Sequence, residues 1–218
     1  MSHEDTQTLI VLADAGEAER RAELALKRLA DVVLGGILLV LAAPLLLLLA
    51  ALVRATSAGP AFFRQTRVGW RGERFRMLKL RTMTDGAECL EEELADPDSI
   101  FFKAQGDARV TPLGRFLRRS SLDELPQLVN VVRGEMSLVG PRPLLERDFA
   151  RYPRGRQLRR FGMRPGMTGL WQVSGRSLLP DSERLRLDLR YVEHWSLGLD
   201  AEILLRTIPA ALSGRGAL

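Results

Sequence analysis

The chain has 218 residues, 46% of them hydrophobic, with 32 lysines and arginines against 27 acids. That length suits one domain with a real core, and the positive balance points to anionic partners: phosphate ligands, acidic lipid headgroups or nucleic acid. A single cysteine, Cys89, excludes an internal disulfide and a cysteine metal cluster, and His3 and His194 match no zinc spacing.

Charge is unevenly spread. Residues 1–26 form an acidic, polar N-terminal extension with six acids and two bases, while residues 27–218 hold 30 bases and 21 acids. Of the 32 bases 29 are arginine, the side chain better shaped for bidentate phosphate contacts. From Leu29 to Val53 the chain reads LADVVLGGILLVLAAPLLLLLAALV, 25 residues with one charge, Asp31. That is long enough to cross a bilayer as a helix and too long for the apolar core of a cleavable signal peptide. Lys27 and Arg28 precede it, and Arg54, Arg64 and Arg67 follow, so the basic flanks give no orientation. Pro44 removes one backbone hydrogen bond in mid-segment and bends the helix. Two topologies stay open on these residues: a helix-break-helix that dips in and returns to the same face, or a tilted spanning helix.

Thr56 to Pro60 is a turn cluster that closes this segment. Ala61 to Met83 predicts two short strands around the turn Gly69-Trp70-Arg71-Gly72, and Asp85 to Asp98 an acidic helix. Val110 to Leu117 leads into the run RRSSLDELPQ, residues 118–127. A helix is predicted over Leu125 to Val132, ending at Gly134. SLVGPRP (137–143) reads as a rigid turn and RPGMTGLWQVSGR (164–176) as a Gly-rich loop region. Leu185, Leu189, Val192 and Trp195, then Leu204, Ile208 and Leu212, recur at helical spacing. They mark two amphipathic helices suited to core packing or to a membrane interface.

The run RRSSLDELPQ carries the chemistry. Asp123 and Glu124 are adjacent carboxylates a few residues after Arg118 and Arg119. One carboxylate can attack phosphorus or hold a metal while guanidiniums hold the anion. Ser121 to Glu124 also fits S-x-x-E, the capping box of many helix starts. Either reading places both acids in a helix's first turn, where the macrodipole favours the ionised form. The chain holds no G-x-S-x-G elbow, no Walker loop and no H-E-x-x-H. Carboxylates without a histidine cluster favour Mg²⁺ or Mn²⁺, which take one or two protein carboxylates and let substrate phosphates supply further ligands.

Six phrases in order resemble the bacterial sugar transferase family, the monotopic phosphoglycosyl transferases acting on polyprenyl phosphate. They are KRLADVVLGGILLVLAAPLLLLLA (27–50), FFRQTRVG (62–69), KLRTM (79–83), RRSSLDELPQLVNVVRGEMSLVGPRP (118–143), RPGMTGLWQVSGR (164–176) and YVEHWSL (191–197). The resemblance implies a mainly α fold with a few short β-strands, a re-entrant membrane segment at 27–54 and a cytoplasmic-face catalytic domain with interfacial helices over 55–218. It implies a ping-pong reaction in which Asp123 attacks the β-phosphate of a UDP-sugar, UMP leaves, and undecaprenyl phosphate takes the phosphosugar. Glu124 matches the family's magnesium-binding acid. Arg118 and Arg142 match its phosphate- or nucleotide-holding positions, with Arg142 presented between Pro141 and Pro143; Arg176 is a weaker match, and Arg164, beside the same Gly-rich phrase, is a further phosphate-binding candidate. The family's helix break commonly carries Ser-Pro; here it is Ala43-Pro44, which lacks the helper hydroxyl.

The implied partners are a UDP-sugar, undecaprenyl phosphate and membrane lipid at the cytoplasmic face of a bacterial inner membrane, with no nucleic acid, and a homodimer left open. The WQVSGR phrase leans toward galactose or glucose over an N-acetylated sugar. The implied step is the first membrane step of exopolysaccharide, O-antigen or capsule assembly. The alternative is a membrane-anchored, arginine-rich module that binds nucleic acid or anionic lipid without catalysis, although its aromatics are not interleaved with the basic stretches.

Overall fold

The computed structural model describes residues 3–87, 108–151 and 155–213. It is mostly helical. Helix α1 (His3–Thr56) is followed by a hairpin of β1 (Phe62–Val68) and β2 (Arg74–Leu80). Then come α2 (Pro112–Ser120), a single 3-10 turn (Leu122–Glu124), α3 (Gln127–Arg133), β3 (Ser137–Val139), β4 (Leu144–Leu145) and α4 (Glu146–Arg151). A 3-10 stretch (Gly155–Gly162) precedes β5 (Gly166–Thr168), α5 (Leu170–Ser174), α6 (Asp181–Glu193) and α7 (Leu197–Ser213). The mainly α expectation with a few short strands holds. The predicted acidic helix over 85–98 lies largely outside the described residues.

The apolar segment lies in α1, which contains a stretch long and apolar enough to cross a bilayer. The helix runs on through Pro44 instead of stopping there, so the expected break is not found. A proline removes one backbone donor, and a helix held by packing on both sides of it tolerates that loss. One face is buried: Leu46, Leu49 and Val53 pack with Ala61, Leu80 and Leu117. The opposite face leaves Ile37, Leu41, Leu47 and Leu48 exposed, a continuous apolar strip that suits lipid.

Polar ties fix the start of that segment to the domain. Lys27 Nζ donates to Asp200 Oδ2 at 2.5 Å and to the Val139 carbonyl at 3.0 Å. Arg28 donates to the carbonyls of Val131 and Val132, and Asp31 accepts from Leu138 N at 2.9 Å. The far end is held too, since Ser57 accepts from Arg81. Both ends of the apolar helix therefore dock on the same domain.

The hairpin forms as the sequence predicts, with Phe62 opposite Leu80 and Val68 opposite Arg74, and β4 adds to β1 antiparallel. β3 and β5 pair in parallel, so RPGMTGLWQVSGR is a strand and a helix and not a loop, and SLVGPRP begins as a strand. The glycines permit this: a Cβ on Gly140 or Gly166 would run into the backbone of the other segment. Gly134, at φ +89, ends α3 where the sequence places the stop. The main core gathers Leu128, Val131, Met136, Val139, Trp171, Tyr191 and Ile203 from these elements.

Candidate active site

Thr111 opens α2 by accepting from Gly114 N at 2.9 Å, with Pro112 in the first turn. The helix ends at Ser121, which adopts φ 58 and ψ 17. A left-handed serine is uncommon and persists where surroundings hold it. Here Arg176, itself at φ 54, donates from Nη2 to Ser121 Oγ at 2.9 Å.

That turn corrects the capping-box reading. Ser121 makes no side-chain cap, and the two acids lie in the 3-10 turn ahead of α3 instead of in its first turn. A left-handed cap residue turns its side chain away from the following amides, which frees Glu124 for other partners.

Those partners are cations. Lys79 Nζ and Arg142 Nη2 both bond Glu124 Oε1, at 2.8 and 2.9 Å. Burial works against the charge on Glu124, but Arg142 and Lys79 outweigh it and hold the carboxyl far below the usual carboxylate range. Asp123 differs. It is 6% exposed, and its ion pair among the described residues is Lys79 at 3.9 Å. Burial pushes its carboxyl up to about 6, with Lys79 pulling down and Glu124 pushing up. The helix dipole was expected to favour the ionised form, but the net shift is upward because desolvation dominates, and Asp123 ionises only above about 6.

Both acids line a cavity of about 350 Å³. Arg118, Arg142, Pro143 and Arg176, all candidates from the sequence, line it with them. Arg118 Nε donates to Thr82 Oγ1 at 2.9 Å. Pro141 is not at the wall; its carbonyl accepts from Gly166 N and fixes the turn that presents Arg142. Arg164 is placed elsewhere. It donates to the Gly134 carbonyl and stacks on Trp70 at 4.4 Å, outside the cavity. Its candidacy rested on lying beside a Gly-rich phrase, and β5 turns that residue toward the hairpin.

Sequence reasoning left Lys79 unassigned, yet it bridges both acids. Its rarity was the available signal, since it is one of three lysines among 32 bases. The support beneath Arg142 was also missed: Arg160 Nη2 bonds the Arg142 carbonyl at 2.5 Å and pairs with Asp188 at 2.8 Å. Burial pushes Asp188 up to about 6 against the pull of Arg160 and Arg142. No spacing rule links residues so far apart in sequence.

The arrangement suits phosphate chemistry: a dry carboxylate, an ionised neighbour and guanidiniums around one cavity. Comparison with known proteins bears on the same point. The model of the family described as bacterial sugar transferase matches residues 22–214. The chain belongs to the bacterial sugar transferase family. It is 44% identical over 198 residues to the exopolysaccharide production protein ExoY of Rhizobium meliloti, covering 88% of this chain and 87% of that protein. It is 45% identical over 214 residues to the UDP-glucose:undecaprenyl-phosphate glucose-1-phosphate transferase of Caulobacter vibrioides, covering 94% and 76%. It is 39% identical over 223 residues to the undecaprenyl-phosphate galactose phosphotransferase of Salmonella typhimurium, covering 99% of this chain and 46% of that longer protein. This sugar transferase is therefore an enzyme, which retires the reading as a non-catalytic arginine-rich module.

The donor set fits a hard divalent cation. Glu124 offers an ionised carboxylate whose two close bonds both fall on Oε1. Among the described residues no group of three or more acid, histidine or cysteine side chains could hold an ion alone. A diphosphate would have to complete the coordination, as it commonly does for Mg²⁺.

Proposed function

We propose that this sugar transferase moves a sugar 1-phosphate, glucose or galactose, from a UDP-sugar to undecaprenyl phosphate, releasing UMP through an aspartyl-phosphosugar intermediate. The observation that carries this reading is the unequal pairing of the two acids. Glu124 takes both close cations, while Asp123 is buried, weakly paired and poised at about 6.

In the first half-reaction a carboxylate oxygen of Asp123 attacks the β-phosphorus. The bond to the bridging oxygen breaks, and UMP leaves with that oxygen. In the second, a phosphate oxygen of the lipid acceptor attacks the same phosphorus and the bond to Asp123 breaks. The carboxylate is regenerated and the product is undecaprenyl diphosphate-sugar. Desolvation leaves Asp123 a more basic, less solvated nucleophile than a surface carboxylate. Lys79 shields it from Glu124. Arg118, Arg142 and Arg176 bind phosphate oxygens and spread the negative charge that builds in the transition state. Mg²⁺, or Mn²⁺, held by Glu124 and the substrate diphosphate, would supply further charge neutralisation.

The docking of Lys27, Arg28 and Asp31 at one end of the apolar segment and of Ser57 at the other supports both of its ends lying at one membrane face, with the helix unbroken between them and the cavity at the cytoplasmic face of the inner membrane. Exposed Leu205 and Ile208 on α7 support an interfacial position for that helix. The reading places the enzyme at the first lipid-linked step of exopolysaccharide, O-antigen or capsule assembly.

The test is a panel of UDP-sugars assayed for Mg²⁺-dependent UMP release, with and without polyprenyl phosphate. One stoichiometric UMP burst without acceptor, and turnover with it, is expected for UDP-glucose or UDP-galactose. Turnover with acceptor but no burst without it would reject the covalent route in favour of direct transfer.

A further inference from the structure

The cavity has an end that the chemistry above leaves unassigned. Directly after β2, Arg81 lines it with Phe62, Phe63 and Met83, yet is only 6% exposed. Its Nη2 donates to the Ser57 carbonyl at 2.9 Å and to Ser57 Oγ at 2.8 Å, one residue past the end of α1. Its Nε and Nη1 are buried without a hydrogen-bond partner. Leaving those donors unmet is costly, and the cost is recovered when an anion arrives. Gly59, at φ +100, lies against the guanidinium, where any side chain would collide with Nη1. Asp85 lines the same cavity, and its carboxylate lies against the same point of Gly59 as Arg81 Nη1 without a hydrogen bond to it.

The location narrows the anion. Leu80, the neighbour of Arg81, packs with Leu46, Leu49 and Val53 of the apolar helix. Phe62 beside it is 43% exposed. Arg81 therefore sits where the membrane segment ends, at the depth where lipid headgroups begin. On its other side, Thr82 bonds Arg118, whose charge acts on Asp123. Arg142 and Arg176 reach the acids from different elements, after β3 and after α5. We propose that Arg81 holds the phosphate monoester of the membrane-borne acceptor at this end of the cavity, apart from the arginines that hold the nucleotide's diphosphate. This assignment rests on the two-step transfer described above and names which side chain serves its second step.

The half-reactions separate the roles. Full-length protein in detergent is given labelled UDP-sugar, the UMP burst is read, and transfer to a short-chain polyprenyl phosphate is then measured. Arg81→Met is expected to keep the burst and raise the acceptor KM about tenfold or more, as for loss of a charge-assisted contact. Arg81→Lys, which keeps the charge but not the fork, is expected to fall between. If Arg81→Met does not fold, the Lys variant carries the test alone. Burst and transfer lost together in the folded variants, or an unchanged acceptor KM, would overturn the assignment.

Added phosphatidylglycerol and inorganic phosphate distinguish the source of the anion. Neither should raise the wild-type acceptor KM more than about twofold, given the phosphate monoester and membrane depth of the site. Strong competition that Arg81→Met abolishes would give the site to that anion instead. A wild-type enzyme with no burst would be a failure of the covalent reading itself, visible before any Arg81 variant is compared.

Discussion

This domain holds two buried lysine–carboxylate clusters, and they are finished differently. At the start of the apolar helix, Asp200 accepts from Lys27, from Tyr191 Oη at 2.7 Å and from Trp195 Nε1 at 3.1 Å. Burial, then Asp200, pushes the Tyr191 phenol far above its ordinary range, so it remains a donor. At the cavity, Lys79 and Arg142 converge on Glu124, and Asp123 is left with a contact of 3.9 Å. A saturated network fixes one geometry; a cluster with one undersupplied member holds a group ready to react. The first anchors the apolar helix, the second is the candidate site.

The largest effect that sharpens this contrast is at Asp123. Asp123→Asn should lower turnover by about a thousandfold or more in the UMP assay, since the nucleophile is gone. The same variant should be more stable at pH 8. Folded Asp123 keeps its proton up to about 6 against 3.8 for an ordinary carboxyl, so the folded state binds more protons in that window. Stability therefore falls as pH rises through it, and the penalty is complete above about 6. Asn removes a penalty of order 1–3 kcal/mol, readable as a higher Tm. Asp200→Asn should do the opposite. It leaves Lys27 buried without its charge partner, at a cost of about 3–5 kcal/mol, and thermal melts should drop by about 10 °C. A melt that drops for Asp123→Asn and is unchanged for Asp200→Asn would break the comparison.

Smaller effects follow. At UDP-sugar well below saturation, where the rate reports the free enzyme, the burst rate should rise roughly tenfold per pH unit below about 6 and level off above it, as Asp123 ionises. A flat profile between pH 5 and 8 would remove burial of the nucleophile from the account. Arg164→Ala should change turnover by less than about threefold, because an arginine stacked on Trp70 contributes mainly packing there.

Much of this was legible in the chain. Alternation and a Gly-bounded turn were enough for the hairpin, and Gly134 for the end of α3. The adjacency of Asp123 and Glu124, with Arg118, Arg142 and Arg176 in their phrases, was enough to single out five of the side chains that line the cavity. The S-x-x-E pattern misled because a left-handed Ser121, held from 55 residues away by Arg176, cannot be read from local spacing. Lys79 was invisible for the same reason: its meeting with Glu124 spans 45 residues and depends on β2 docking against the 3-10 turn. The helix position of Asp123 argued for a downward shift, and only burial, a tertiary property, turns it upward. Pro44 suggested a stop because one lost hydrogen bond is visible in sequence, while the packing of Leu46, Leu49 and Val53 that carries the helix onward is not.

The central claim is that Asp123 carries the sugar phosphate between the half-reactions. The most direct measurement is the intact mass, then the peptide map, of enzyme quenched after mixing with UDP-glucose or UDP-galactose and Mg²⁺ without acceptor. The account predicts a hexose-phosphate adduct on the peptide bearing Asp123, lost on adding polyprenyl phosphate and absent in Asp123→Asn. Stoichiometric UMP release with no adduct, or an adduct on another residue, would contradict it.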